Sequence, residues 1–220
     1  MVMRMRVGAW SLWLAYTLKS PNAIRKLLPA DLELAPMRLL EDETSRFPSY
    51  KLLFNAYEVD SPWMHGRRVE TVVQTVHRKT KETRLVVLDC MSDTLRWNPI
   101  DGVRWPNAYT RAFGPKGDDE FSVDVRNRYE RFMVNGRIGR TRPIDWRFAV
   151  EGNRECYFQR YNEAFRLSFN ETQIALTVCQ IDAPCITNTL WLNVRTKTPS
   201  HALVHPHPMY FDVDLDSYFV

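Results

Sequence analysis

Glu70 stands in the run GRRVETVV (Gly66–Val73). In an extended chain, alternation puts Arg68, Glu70 and Val72 on one face and Arg67, Val69, Thr71 and Val73 on the other. A carboxylic acid among apolar strand neighbours is desolvated, which favours its neutral form and suits it to general acid/base work. The plainer reading of the same residue is an ion pair with a cross-strand arginine. A second group is the run SHALVHPHPMYFDVDLD (Ser200–Asp216). His205 and His207 are two apart, so an extended segment presents both on one face, half of a common metal site. His201, Asp212, Asp214 and Asp216 would supply the rest. The plainer reading is a tail held extended because His205 and His207 each precede a proline, with neutral histidines in hydrogen-bonding or pocket roles.

The third group is DCMSDTLRWNPIDGVRWP (Asp89–Pro106), dense in Arg96, Trp97, Arg104, Trp105, Asp93 and Asp101. Pockets are commonly built by aromatic and charged residues in a loop at a strand end. Tryptophans beside proline and glycine also serve simply to pack a lid on a core. The glycine-rich nucleotide loops, the G-x-S-x-G elbow and the H-E-x-x-H zinc motif do not occur.

The elements that must position these residues read mostly as strands. LLFNAYEVD, GRRVETVVQTVHR and TRLVVLDCMS are rich in β-branched or aromatic residues, and KTKE between the last two predicts a hairpin. EFSVDVRNRYERFMV, DWRFAV, ECYFQRY, AFRLSFN, TQIALTVCQID and TNTLWLNVRTK continue the series. RLSFNETQIALTV reads as a hairpin with Asn170 and Glu171 at its tip. The best helix signal is SPNAIRKLLP, with Ser20 as cap and Pro21 in the first turn. NAIRKLLPADLEL then passes through Pro29 to the alternation of Leu32 and Leu34.

The chain has 220 residues, 45% hydrophobic and 25% charged, and a formal charge of +4. This is the composition of an ordinary globule. Acidic residues lie among the arginines of VRNRYERF and GRIGRTRP, so a paired, solvated or subunit-contact face is expected there rather than a nucleic-acid surface. The four cysteines form no C-x-x-C pair, which points to reduced thiols in a cytoplasmic protein. Cys179 and Cys185 would approach each other only if a turn at IDAP brought them together. The opening MVMRMRVGAWSLWLAYTLKS imitates a signal peptide, yet Trp, Ser and Tyr interrupt its apolar run and its alternation predicts a strand. No other stretch is long enough to cross a bilayer.

In this order the N-terminal segment WSLWLAYTLKSPNAIRKLLPADLEL resembles the acetoacetate decarboxylase-like family, which opens with a strand, a short helix running into Leu-Leu-Pro, and a Leu-x-Leu strand. YKLLFNAYEVDSPWMHGRRVETVV is similar to the family's next strands, and Glu70 falls near the family's active-site glutamate. TRLVVLDCMSD stands where the family runs into its catalytic loop. The resemblance covers roughly the first half of the chain. It implies an α+β, β-rich fold: an antiparallel barrel or cone with a few short helices, one domain over residues 1–220.

The family's chemistry rests on a lysine in that loop, a free amine that forms a Schiff base with a β-keto acid. The corresponding SDTLRWNPIDGVRWP contains no lysine, and the guanidinium of Arg96 or Arg104 is not a nucleophile. Lys79 and Lys81 lie in the polar hairpin turn. The resemblance thus implies an enzyme acting on a small or medium carbonyl or carboxylic acid compound, of lyase, dehydratase, isomerase or cyclase type, without a Schiff base. Glu70 is its acid/base. Arg68, Arg96 and Arg104 hold a substrate carboxylate or enolate, Trp97 and Trp105 wall the pocket, and His205 and His207 reach into it. No cofactor or metal is called for, the partner is a small molecule, and family members tend to assemble into homo-oligomers. Two alternatives stand beside this reading: a non-catalytic ligand-binding or protein-interaction module of the same fold, and a metal-dependent enzyme built on His205 and His207.

Overall fold

The computed structural model describes residues 2–37, 49–60, 65–93, 107–139, 155–160, 163–169, 177–182, 184–205 and 209–214. Its strands are β1 (Val2–Thr17), β2 (Leu32–Leu34), β3 (Lys51–Asp60), β4 (His65–His77), β5 (Thr83–Ser92), β6 (Tyr109–Lys116), β7 (Glu120–Arg126), β8 (Arg131–Ile138), β9 (Glu155–Arg160), β10 (Glu163–Phe169), β11 (Thr177–Ile181), β12 (Cys185–Thr187), β13 (His201–His205) and β14 (Met209–Asp214). One α-helix, α1 (Pro21–Arg25), and a short 3-10 helix (Thr189–Asn193) complete the described elements. The expected β-rich α+β architecture is what forms.

All strands join one sheet, with the order β14-β10-β9-β5-β4-β3-β1-β13-β11-β8-β7-β6 and with β2 and β12 at its sides. The sheet as a whole is not closed, because the path ends at β6. β1 is long enough to change partners along its length. Ser11–Ala15 pair with β13, while Val2–Val7 pair with β14. β14, β10, β9, β5, β4, β3 and β1 therefore follow one another round a circuit.

Period-2 alternation sorts β1 into two faces. Trp10, Leu12, Leu14 and Tyr16 join the core with Phe54, Ala56, Val69 and Met91 of β3–β5. That core is closed from the other side by Phe121, Val123, Val125, Phe132 and Val134 of β7 and β8. Trp10 meets Phe121 with ring centroids 5.5 Å apart, and Phe54 meets Phe132 at 5.7 Å. Since β7 and β8 lie outside the circuit, this apolar face looks outward from it. The opposite face, carrying Ser11, Tyr57, Arg68 and Glu70, turns inward.

Several local expectations are realised. The opening alternation is strand β1, and KTKE makes the β4–β5 turn with Lys79 and Lys81 exposed. EFSVDVRNRYERFMV, read as one run, is instead a hairpin of β7 and β8 divided at Asn127–Glu130. Arginines of this hairpin meet acids, with Arg131 3.0 Å from Asp124 and Arg137 3.6 Å from Glu120.

Other expectations are corrected. β10 and β11 do not form a hairpin: β10 pairs with β9 and β14, and β11 with β8 and β13. The residues of each strand fit a pleat equally well whichever neighbour they receive, so local pattern did not identify the partner. TNTLWLN is a 3-10 turn after β12 rather than a strand, because the Asn188 side chain accepts from the Leu190 backbone N–H at 2.7 Å and starts it. Ser20 does precede α1, but its side chain makes no cap. Its backbone carbonyl instead accepts from Ala23 N at 3.1 Å. Cys179 and Cys185 are free thiols, set opposite Ile138 and Met133 of β8 and so held apart along that strand. DWRFAV and the helical turn expected at MSDTLRW fall in whole or in most part outside the described residues.

Candidate functional site

Two adjacent rows of residues cross the inward face. In one, His205, Ser11, Tyr57, Arg68 and Ser92 stand opposite one another across β13, β1, β3, β4 and β5. In the other, Leu203, Trp13, Asn55, Glu70 and Cys90 do the same. Facing residues and their diagonal neighbours lie within reach of long side chains. The register thus turns residues that are far apart in sequence into one polar stripe.

At its centre Glu70 and Arg68 are both 0% exposed. Arg68 Nη2 stands 3.0 Å from Glu70 Oε1, and the Tyr57 hydroxyl donates to the same oxygen at 2.8 Å. Arg68 Nη2 also donates to Cys90 Sγ at 3.3 Å, and its guanidinium lies 5.8 Å from the Tyr57 ring centroid. Both Tyr57→Glu70 and Arg68→Cys90 are diagonal contacts across the ladder, while Arg68 and Glu70 are two apart on one strand. The ion pair foreseen for Glu70 is therefore made with its own strand neighbour. Burial first, then the Glu70 charge and hydrogen bond, push the Tyr57 phenol well above its usual range, against the opposing pull of Arg68. Tyr57 stays a neutral donor, and a buried ion pair held by extra hydrogen bonds results.

The loop expected to build the pocket starts and ends at this stripe. Asn107 clamps the end of β5: its side chain accepts from Ser92 N at 2.7 Å and donates to the Cys90 carbonyl at 2.8 Å. Asp93 accepts from Arg67 N at 2.5 Å and from the Thr110 hydroxyl at 2.7 Å. Both loop ends thus lie beside Ser92, the residue facing Arg68. Arg96, Trp97, Arg104 and Trp105 lie within the loop, outside the described residues. So does His207.

His205 is buried, 2% exposed, at the far end of the row that contains Arg68. Among the described residues no three or more His, Cys, Asp or Glu side chains gather closely enough to hold a metal ion. Among them, too, no helix is long and apolar enough to cross a membrane. Sequence reasoning missed Tyr57, Cys90, Asn107 and Lys51, the last 4% exposed at the start of β3. Tyr57 stood in an evident strand, but only the register with β4 sets it against Arg68.

No family model and no curated protein matches the chain. Solved structures do. The acetoacetate decarboxylase of Legionella pneumophila subsp. pneumophila str. Philadelphia 1 aligns over 96% of this chain and 84% of its own, with a TM-score of 0.59 at 12% identity. A second acetoacetate decarboxylase structure aligns over 96% of this chain and 86% of its own, with a TM-score of 0.55 at 10% identity. The likeness that the sequence carries in its first half thus extends through nearly the whole chain, and the protein has the acetoacetate decarboxylase-like fold.

Proposed function

We propose that the protein is an enzyme acting on a small or medium carbonyl or carboxylic acid compound by acid/base chemistry at Glu70, without a Schiff base. The observation that carries this reading is a fully buried carboxylate in the middle of a polar stripe, at the foot of an aromatic and arginine-rich loop. Such a group exchanges a proton with a bound substrate if the substrate displaces one of its partners. Tyr57 is then the neutral donor to a developing oxyanion, and Arg68 positions the carboxylate. Arg96 and Arg104 would hold the substrate's carboxylate, Trp97 and Trp105 would exclude water, and His205 and His207 would bound the far side. The lyase, dehydratase, isomerase and cyclase classes all fit this machinery.

The test is Glu70→Gln, which keeps the side chain's shape. Turnover of a responsive carbonyl substrate, found by metabolite incubation, should fall by about 10²-fold or more, measured at a temperature where circular dichroism shows the variant folded, since the loss of the Glu70 charge also destabilises the buried Arg68. Full activity in this variant would remove Glu70 from the mechanism. Borohydride reduction in the presence of keto acids should leave every lysine unmodified. A covalent adduct on any lysine would overturn the non-Schiff-base chemistry. A second reading is favoured by the Arg68–Glu70 ion pair and the Tyr57 hydrogen bond that supports it, an arrangement that also suits a module that only binds a ligand or a protein. Saturable binding without a converted product would support it.

A further inference from the structure

Two segments far apart in sequence, residues 18–30 and 184–200, meet at one end of the molecule. Leu18 bridges to Val194, Lys19 N donates to the Asn193 carbonyl at 2.6 Å, and Arg195 N donates to the Thr17 carbonyl at 2.8 Å. α1 packs against the 3-10 turn, with Ile24 of one and Leu190 of the other buried in the core. Those two residues fix which side of each segment faces out. Leu192 follows Leu190 by two positions in a helix of about three residues per turn, so it points away from the core. It is 80% exposed, and Leu27, just beyond α1, is 55% exposed.

The same two segments carry Lys19, Arg25, Lys26, Arg195 and Lys197, all exposed, and neither segment contains an acidic residue. Arg25 donates to Asn22 Oδ1 at 2.6 Å and to the Tyr50 hydroxyl at 3.0 Å, both neutral groups. Among the described residues none of the five is in an ion pair. The first acid beyond Leu27, Asp31, lies 3.3 Å from His77 of β4. Elsewhere exposed arginines meet acids, as Arg137 meets Glu120. At this end positive charge gathers without counter-charge around two protruding leucines.

We propose that this end docks the protein on an anionic lipid membrane, with Leu192 and Leu27 entering the interface and the five cations meeting lipid headgroups. Basic side chains are drawn to anionic lipid, and projecting aliphatic side chains add apolar burial. A lipid surface asks for no matching shape, only apolar tips ringed by positive charge, and docking of this kind needs no spanning helix. A second copy fits worse, because a two-fold contact through this face would set like charges against like. Single-stranded nucleic acid is gripped by stacking on aromatic side chains, whereas the tips here are aliphatic. The proposal does not depend on chemistry at Glu70.

The test is co-sedimentation of the intact chain with vesicles of phosphatidylcholine alone and of phosphatidylcholine mixed with phosphatidylserine. The mixed vesicles should bind at least about tenfold more strongly than the neutral ones, and raising salt from about 0.1 M to about 1 M should release the protein. Leu192→Ser should weaken binding about tenfold. Lys26→Glu combined with Lys197→Glu should weaken it by about 10²-fold or more. These positions are exposed, and circular dichroism checks that the variants fold. Lys116→Glu, a charge reversal at an exposed position on β6, should change binding by no more than about fivefold. No binding to the mixed vesicles, equal binding to the neutral ones, or full binding by the doubly reversed variant would overturn the proposal. Binding indifferent to Leu192→Ser would overturn it in favour of a purely electrostatic partner, such as an acidic protein segment or a nucleic acid. A dimer that Leu192→Ser dissolves, with no vesicle binding by the parent, would make this face an interface between copies instead.

Discussion

At the scale of single residues, the stripe is a set of mutual obligations. Arg68 and Glu70 are both without solvent, so each relies on the other and on its hydrogen-bonding neighbours. Removing one member leaves a buried charge uncompensated, which costs more than the pair itself contributes. Arg68→Met should therefore destabilise the fold by about 3–5 kcal/mol, and Tyr57→Phe by about 1.5–3 kcal/mol, the range for a hydrogen bond to a charged group. Urea unfolding checks both. An Arg68→Met variant as stable as the parent would show that the pair is dispensable to the scaffold. Glu70 was legible in the sequence as a carboxylate among strand residues. Its partner Tyr57 was not, because nothing local to NAYEV states which residue of another strand it will face.

At the scale of elements, β8 is clasped between β7 and β11, and its Gly136 shows how closely. A Cβ on Gly136 would come 2.5 Å from the Gln180 carbonyl oxygen and 2.5 Å from the Phe121 ring. Backbone on one side and a fully buried ring on the other leave no easy relief, so the cost is that of overpacking. Gly136→Ala should lower stability by about 1–3 kcal/mol, read from the denaturation midpoint at unchanged slope. Gly117→Ala is the contrast. It has open space but a φ of +69°, so only backbone strain opposes it. The β4–β5 hairpin was readable because its short polar turn and the alternation on either side agree, whereas EFSVDVRNRYERFMV was read as one run and its division into β7 and β8 was not drawn. The β10–β11 hairpin was misread because adjacency in sequence is only a tendency in sheets. The 3-10 turn was misread because a single Asn188 side chain overrode strand-like composition.

At the scale of the whole molecule, a carboxyl pair joins parts of the chain that are distant in sequence. Asp89 of β5 and Glu130 at the β7–β8 turn share a hydrogen bond, and Asn188 Nδ2 donates to Asp89 Oδ2 at 2.7 Å. Burial, then the Asp89 charge and the hydrogen bond that Glu130 donates to Asp89, raise Glu130 from 4.5 to about 7, with Asn127 opposing. Arg131 beside it is engaged by Asp124. A carboxyl whose folded value is raised binds its proton more tightly in the native state, so its contribution is complete below about 4.5 and is lost as pH rises through about 7. The thermal midpoint should fall across that window, and Glu130→Gln should flatten the fall. An unchanged pH slope in Glu130→Gln would show that the pair does not link folding to protons.

The sequence by itself determined the β-rich class, the strand at the N-terminus, the α1-to-β2 join in NAIRKLLPADLEL, the β4–β5 hairpin, and Glu70 as the carboxylate to watch. These depend on alternation, turn chemistry and local propensity, which act within a few residues. Where the ends of the expected loop lie was not legible, since it rests on Asp93 and Asn107, which tie those ends beside Ser92. Only the tertiary structure decided that β1 serves both β13 and β14, that Tyr57, Arg68 and Cys90 share Glu70's face, and that α1 and the 3-10 turn meet at one end of the molecule. The reason is that strand pairing joins residues through register. Register is fixed by the burial of whole faces across many strands, not by the residues within any one of them.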